Sequence, residues 1–442
     1  MRPLPAYIPQ CLPAGWQVIP VKSSFEIRLG KMLQPQPLSG TDELVQYLKA
    51  NNVQWSGVVS TDLPTMWASR REMRDFSVAK GDLLVCEGGE VGRAVLVDGV
   101  PVDCIFQNAL HRIRNKKNGE VRFLKYLLEC IARSEWFSVL CNRATIAHLT
   151  SDKLRALLIP CPPLEVQREI AEFLDRETAS IDKSLVAKDR VLANVEDRMR
   201  CVVNEAVCRG VNSSTPKTST GIPWFGDAPS HWELIQLRRV IDKFVDYRGR
   251  TPEKVLDGIP LVTAVNIKGG RIDFSLGMEF MPESDYEGWM VRGLPDSGDV
   301  LVTTEAPLGE VAQIEDTRVA LAQRIILLKA NKQKVTNEYL KYFFLSAAGQ
   351  GELWTRASGS TAIGIKASKF KGLTIVVPPI NEQREIVRHL DCEMEKLHQL
   401  RSVVTISLGK LTEYRSALIT AAVTGQIDVR KYRSQEATAS CQ

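Results

Sequence analysis

The sequence predicts an α+β chain: two mixed, mainly β domains joined by two long helices pairing as an antiparallel coiled coil, with an internal pseudo-two-fold duplication. Three observations predict it. Much of the sequence is written twice, 216 residues apart. Each copy is built for most of its length from short β-branched runs. Each copy then closes in an apolar stripe of period 3.5 that opens behind a Pro-Pro pair.

The repeat is carried by particular residues. Trp16 answers Trp232, Gln107 answers Gln323, Tyr126 answers Tyr342 and Thr145 answers Thr361. Pro162-Pro163, Gln167-Arg168-Glu169-Ile170 and Leu174-Asp175 return as Pro378-Pro379, Gln383-Arg384-Glu385-Ile386 and Leu390-Asp391. Shifted by one, Gly81-Asp82-Leu83-Leu84-Val85 returns as Gly298-Asp299-Val300-Leu301-Val302, with Gly92 and Gly309 behind them. Solenoid units repeat every ~20–50 residues. This spacing instead duplicates a whole domain and the element that follows it. Duplication for stability alone is the plainer explanation, but a two-site reader accounts for more of the pattern.

Within each copy the strands read as Ser56–Ser60, Asp82–Cys86, Ala94–Val97, Leu261–Thr263 and Val300–Val302, separated by turn pairs such as Asp98-Gly99 and Gly269-Gly270. One helix is expected in each, over Val121–Leu140 and Asn337–Ala348. The run Glu87-Gly88-Gly89-Glu90-Val91-Gly92 reads as a hairpin turn rather than a phosphate loop. Trp136 and Trp354 are expected in the core.

Behind the prolines, Glu165 and Glu382 occupy first-turn positions that suit a helix dipole. The first stripe runs through Ile181, Leu185, Leu192, Val195, Met199, Val202 and Ala206, with Lys188 in the skipped place. The second runs through Leu390, Met394, Leu397, Val404, Leu408, Leu411, Leu418 and Ala422, interrupted by Arg401 and Arg415. Paired antiparallel, the two stripes would form the seam; across the repeat Lys188 answers Val404, Arg401 answers Leu185 and Arg415 answers Met199, so the polar interruptions do not coincide and can fix the register at some cost in stability. The alternative is that each helix packs on its own domain or on another chain. The division expected is 1–160 as the first domain, 161–209 as the central helix, 210–221 as a flexible linker, 222–377 as the second domain, 378–430 as the C-terminal helix and 431–442 as a flexible tail.

Length and composition bound the function. At 442 residues the chain exceeds one core, and its 44% hydrophobic and 25% charged residues are those of an ordinary soluble protein. No stretch reaches the ~20 apolar residues of a membrane span, so no membrane is expected as a partner. The proline-broken N-terminus lacks the core of a signal peptide, which points to the cytoplasm. Ten cysteines without a Cys-x-x-Cys pair, and only five histidines, point to reduced, mostly buried thiols and to no metal site. A net charge of +5 permits a polyanionic partner without demanding one. Walker-type, His-Glu-x-x-His, Gly-x-Ser-x-Gly and Asn-Pro-Pro-aromatic motifs are absent, and Pro295-Asp296 begins a turn with no Glu-x-Lys behind it. The expectation is a non-enzymatic chain without cofactors.

Four stretches carry a resemblance. They are Gly221-Ile222-Pro223-Trp224-Phe225-Gly226 leading to Pro229-Ser230-His231-Trp232-Glu233-Leu234; Pro378 to Ile386; Leu411 to Ile427; and Gly359-Ser360-Thr361-Ala362-Ile363-Gly364-Ile365. In order and spacing they resemble the specificity subunits of type I restriction–modification systems. The first copy departs in having Val166 where the second has Glu382, in ending its helix Cys208-Arg209-Gly210 rather than Thr-Gly-Gln, and in opening only with Leu12-Pro13-Ala14-Gly15-Trp16.

The resemblance implies two target recognition domains, each reading one half of a bipartite, asymmetric double-stranded DNA sequence. It implies helices that set the spacer and seat modification (methyltransferase) subunits, two of them, together with restriction (translocase-nuclease) subunits. S-adenosylmethionine, ATP and Mg²⁺ would belong to those partners. Base edges are read best by Arg, Lys, Asn and Gln in loops. The candidates are Arg70, Arg71, Arg74, Arg143, Thr145 and His148 in the first domain, and Tyr247, Arg248, Arg250, Asn266, Lys268, Arg271, Ser360, Thr361 and Lys366 in the second. For any single cation a solvated face is the competing account. The competing function is a coiled-coil scaffold that binds protein without reading DNA, and a self-contained restriction–methylation enzyme is a third.

Overall fold

The computed structural model describes residues 5–116, 118–134, 136–140, 148–247, 251–359 and 363–432. It forms two compact units, one of Met1–Lys188 with Ser407–Gln442 and the other of Asp189–Ile406. The sequence suggested cuts where the long helices begin. The units are instead cut inside the helices, so each takes half of both.

The first unit holds a four-stranded antiparallel sheet in the order Phe25–Leu29, Leu110–Asn115, Leu83–Cys86, Ala94–Leu96. A three-stranded sheet orders Thr65–Ala68, Glu43–Leu48 and Ile105–Phe106, the last pair parallel. A ribbon of Gln17–Pro20 and Leu158–Cys161 completes it. Leu83 to Cys86 is apolar throughout because both faces of that strand are covered. Leu83 and Val85 pack with the Val121–Arg133 helix, whereas Leu84 and Cys86 pack with Leu48, Phe106 and Leu110.

The second unit repeats this plan. Its sheets run Ile241–Asp246, Ile325–Ala330, Val300–Thr304, Leu308–Gln313 and Phe280–Met281, Ile259–Val262, Ala320–Leu321, the last pair again parallel. Its ribbon pairs Glu233–Gln236 with Thr374–Val377. Here too Val300 and Val302 face one core cluster and Leu301 another. The two expected helices are each shorter and doubled. Val121–Arg133 is followed by Trp136–Leu140, and Asn337–Leu345 by Ala347–Arg356. The second break is at Ser346, whose hydroxyl accepts from the Gly349 N–H to cap the next helix.

The long helices are Leu164–Arg209 and Ile380–Val423, 46 and 44 residues. Their starts are fastened by one duplicated side chain. Gln167 Oε1 accepts from the Glu120 N–H at 3.0 Å, and its Nε2 donates to the Asn118 and Pro162 carbonyls at 3.1 and 2.8 Å. Gln383 does the same with Thr336, Lys334 and Pro378 at 2.8, 2.9 and 2.8 Å. Two turns on, the Tyr126 hydroxyl donates to Asp175 at 2.8 Å, as Tyr342 does to Asp391 at 2.6 Å. The Gln-Arg-Glu-Ile repeat is thus a buried joint between helix and domain. Val166 removes only a peripheral contact. In the second copy Glu382 accepts from the Trp232 indole at 2.9 Å, whereas Trp16 meets the edge of Phe123.

Gly210 and Gly425 follow the two helix ends at φ 72° and 74°, where a left-handed residue stops a helix. A Cβ on Gly210 would lie 3.1 Å from Trp232, and one on Gly425 would lie 2.7 Å from Pro13 and 3.2 Å from Trp16. The differently spelled helix ends therefore do the same work. The segment expected as a linker is partly ordered, since Lys217–Ser219 pairs with Asp227–Pro229. At the other terminus Tyr432 packs on Phe173 at 5.3 Å and Arg430 grips Glu169 at 2.6 and 2.8 Å; residues 433–442 of the expected tail lie outside the described residues.

The helices run antiparallel in the first unit, where Asp182 meets Arg415 and Glu169 meets Arg430. The stripe is not a seam of two helices alone. Ile181 and Leu418 are buried, with Leu185 and Leu411 packed beside them, in one cluster with the domain helix Val121–Arg133. In the second unit Val202 and Ala206 join Ile386 and Leu390 around Tyr339 and Phe343, and Val195 and Val404 are also buried. Leu192, Met199, Leu397 and Leu408 are half-buried. A third element drawn from each domain covers what two helices leave bare.

Arg415, expected as a bare interruption of the stripe, is fully engaged. Its guanidinium meets Asp182 at 2.8 Å and the buried Glu129 at 2.5 Å. Burial alone would lower its pKa, but these carboxylates hold it above the ordinary value. The second unit has Leu345 in place of Glu129 and Met199 in place of Arg415.

Two predictions follow from this packing. Arg415→Met leaves the buried Glu129 carboxylate with Arg133 alone and should cost about 3 kcal/mol, whereas Arg415→Met with Glu129→Leu, the pairing of the second unit, should recover most of it in urea unfolding. Gln383→Leu should destabilise by about 2–3 kcal/mol, because the groups it leaves unpaired are buried; an unchanged thermal midpoint would refute the joint.

Candidate nucleic-acid interface

In each unit a β-hairpin tip stands beside loops that carry sequence candidates. In the first unit Leu83–Cys86 and Ala94–Leu96 are joined through Glu87–Arg93, with Gly89 and Gly92 at φ 72° and 79°. Gly92 has no room for a side chain, since a Cβ there would fall 2.1 Å from the Phe137 ring. Its counterpart Gly309 is held the same way, with a Cβ position 2.6 Å from Gln350, whose amide donates to the Gly309 carbonyl. The duplicated glycine therefore marks where a helix presses on the hairpin.

A second loop is stitched to each tip. The Leu149 N–H donates to the Glu87 carbonyl at 2.7 Å, and the Ile365 N–H to the Thr304 carbonyl at 2.9 Å. Beneath the first of these, buried His111 Nε2 lies 2.7 Å from the Leu149 carbonyl, and burial holds its imidazole below the ordinary pKa. His148 is exposed beside this stitch, its ring 3.4 Å from where a Gly88 Cβ would be. In the second unit Glu305 bridges to Gly364, Arg324 reaches Glu305 at 3.2 Å, and exposed Lys366 caps the short helix Ala367–Lys371. The structure thus gathers one loop cluster at each tip.

The sequence candidates divide accordingly. His148 and Lys366 stand at the tips. Arg143, Thr145, Ser360 and Thr361 fall within the segments approaching them, and Arg248 and Arg250 fall behind Tyr247; all six lie outside the described residues. Arg70, Arg71 and Arg74 occupy the exposed face of the helix Arg70–Asp75, which Ser69 and Glu72 cap reciprocally. Arg70 reaches Glu43 at 2.9 Å and Arg71 reaches Asp75 at 3.7 Å. Burial alone would raise the Glu72 carboxyl, but its bonds to Lys31 and Ser69 hold it below the ordinary range.

Two candidates are corrected. Tyr247 is 1% exposed, stacked on Trp289 with ring centroids 5.7 Å apart, and its hydroxyl donates to the Gly293 carbonyl. Asn266 is wholly buried. Its oxygen accepts from the Thr263 N–H and hydroxyl at 2.9 and 2.8 Å, and its amide donates to the Gly277 carbonyl. Both polar tips complete turns inside the domain, a use that loop-like spelling does not distinguish from ligand contact. Trp354, expected in the core, is half exposed.

Lys268 and Arg271 are exposed on the hairpin Ile267–Lys268/Arg271–Ile272, but they line a groove with the long helices and not the tip. Arg324 was missed. It follows the duplicated Gln323 directly and sits at φ 75°, so the repeat itself marked the place.

Comparison with known proteins agrees with this architecture. The family of the type I restriction modification DNA specificity domain matches residues 13–186 and 293–399, more than half of the chain. The EcoKI specificity subunit of Escherichia coli K12 is 20% identical, covering 94% of this chain and 90% of its own length. The StySPI specificity subunit of Salmonella potsdam is 21% identical over 94% and 90%. A chain from a solved structure concerning assembly and conformational transition of the type I R-M system superposes with a TM-score of 0.70 at 17% identity, over 95% of this chain and 100% of that one. With two repeated units on a shared frame and a family match spanning parts of both, the chain belongs to the specificity subunits of type I restriction–modification systems.

Proposed function

We propose that this chain is the non-catalytic DNA-reading subunit of its complex, each unit meeting one half of a split, asymmetric double-stranded target at its hairpin tip. The observation that carries this reading is a frame kept constant beneath tips that differ. The bonds of Gln167 and Gln383 to backbone groups, and of Tyr126 and Tyr342 to an aspartate, recur in both units. The tips they support carry Glu87-Gly88-Gly89-Glu90 and His148 in one unit, against Glu305-Ala306-Pro307, Arg324 and Lys366 in the other. One scaffold presenting two chemistries suits two unlike half-sites.

The long helices set the unread spacer. From Ile181 to Ala206 is on the order of 40 Å of helix, comparable to one DNA turn of about 34–36 Å. They also seat two methyltransferase subunits and, with them, the restriction subunits. S-adenosylmethionine, ATP and Mg²⁺ are held by those partners. His148 and Lys366, at the tips, are the side chains assigned to DNA, and Arg143, Thr145, Ser360 and Thr361, which precede them in the sequence, are assigned with them. Arg70, Arg71, Arg74, Arg248 and Arg250 supply phosphate contacts.

Single-molecule sequencing of DNA from cells that express the chain with its neighbouring methyltransferase should show modified adenines confined to one split, asymmetric motif. Exchanging residues 217–376 for those of another specificity subunit should change one half of that motif and leave the other intact. An active partner that leaves DNA unmodified with this chain would favour a protein scaffold. In salt titrations of DNA binding by the complex, Lys366→Ala should reduce the slope of log affinity against log salt by about one.

A further inference from the structure

A groove of about 890 Å³ in the second unit is bounded by the Gly269-Gly270 turn, the first long helix at Met199 and the second at Met394 and Arg401. The first unit has a groove of about 750 Å³ in the corresponding place, flanked by Trp55, Glu129 and Arg415. The two match through the repeat. Thr178, Asp182 and Leu185 in the first answer Met394, His398 and Arg401 in the second, 216 residues on.

Their chemistry differs. In the first unit the charges neutralise one another, with Arg415 on Glu129 and Asp182 and Arg133 on Glu129. In the second, Met199 and Leu345 replace Arg415 and Glu129, and with Met394 they make an apolar floor. Exposed Lys268, Arg271 and Arg401 border it, and no ion pair among the described residues engages any of the three. Of the acids nearby, Glu310 holds the Gly269 turn, Glu196 lies on the long helix, and Asp273 caps Ser275, whose bonds first and then the charges of Arg271 and Lys268 hold its carboxyl below the ordinary range. Burial first, then the charges of Arg401 and Arg271, hold the His398 imidazole below its ordinary pKa, so those two cations act on the same space.

We propose that this groove docks an acidic, amphipathic protein segment, its carboxylates on Lys268, Arg271 and Arg401 and a bulky apolar side chain on Met199, Leu345 and Met394, and that the first unit offers no equivalent site. Charge complementarity selects an anion. The apolar floor selects a protein segment over a phosphate backbone, which gains nothing from methionine and leucine. Methionine also adapts to varied side chains. The proposal deepens the partner-docking part of the proposed function and assigns Lys268 and Arg271 to protein rather than to bases.

The test is fluorescence anisotropy of the full chain with a labelled synthetic peptide carrying leucines at i, i+4 and i+7 and glutamates elsewhere. Saturable one-to-one binding is expected, weakened at least tenfold by Lys268→Glu with Arg271→Glu, and likewise by Arg401→Glu, in variants whose circular dichroism melts match the parent. Ser56→Glu, in the first unit's groove, should leave affinity unchanged. Absent binding, indifference to these cations, or displacement by a 20-base-pair duplex at equal charge would overturn the proposal, the last assigning the groove to nucleic acid. The peptide assay needs neither DNA nor methyltransferase. A negative result beside intact split-motif methylation therefore sinks the groove alone, and the reverse pattern sinks the proposed function alone.

Discussion

Each half of this molecule hangs on a buried glutamine. A long helix that starts at the edge of a domain must have its direction set within its first turn, or every contact further along misses. Gln167 and Gln383 set it by tying the helix start to a loop of the domain and to the proline carbonyl just before the helix. An amide suits this place because it both donates and accepts, and so satisfies three backbone groups that burial would otherwise leave costly. The tyrosine–aspartate bond two turns later holds the helix against rotation.

Much of the architecture was legible because it was repeated. The division of each copy into short strands, the helix behind each Pro-Pro pair and the hairpin turn at Glu87–Gly92 followed from local pattern and from residues that recur. The candidate site was less legible. Asn266 and Tyr247 stand in polar, loop-like sequence yet serve the interior, because a turn that must be buried uses the same side chains as a turn that meets a ligand. Arg415 looked like a polar gap in an apolar stripe. Its partner Glu129 lies on a helix nearly 300 residues earlier in the chain, and no local pattern joins them. Lys268 and Arg271 were correctly placed in a turn, but the direction that turn faces is a tertiary fact.

The two copies have diverged along physical lines. Where side chains join helix to domain, chemistry is held constant. Where an ionic cluster fills one unit, the other has sulfur and aliphatic carbon, and surface cations are left to face outward. An Arg–Glu pair and a Met–Leu pair occupy similar volume and can replace each other as sets, though not one residue at a time. The duplication thus preserves a frame while allowing the two surfaces to take on separate tasks.

The division of both long helices between the units has a consequence for synthesis. The second unit is made of one continuous stretch, residues 189–406, and every part of it has emerged before the chain is finished. The first unit waits for residues from Ser407 onward, including Arg415, Leu418 and Arg430. Until the last turns of the second helix leave the ribosome, Ile181, Glu129 and the face of the Val121–Arg133 helix lack their cover. The half that is translated first is therefore completed only after the half that follows it.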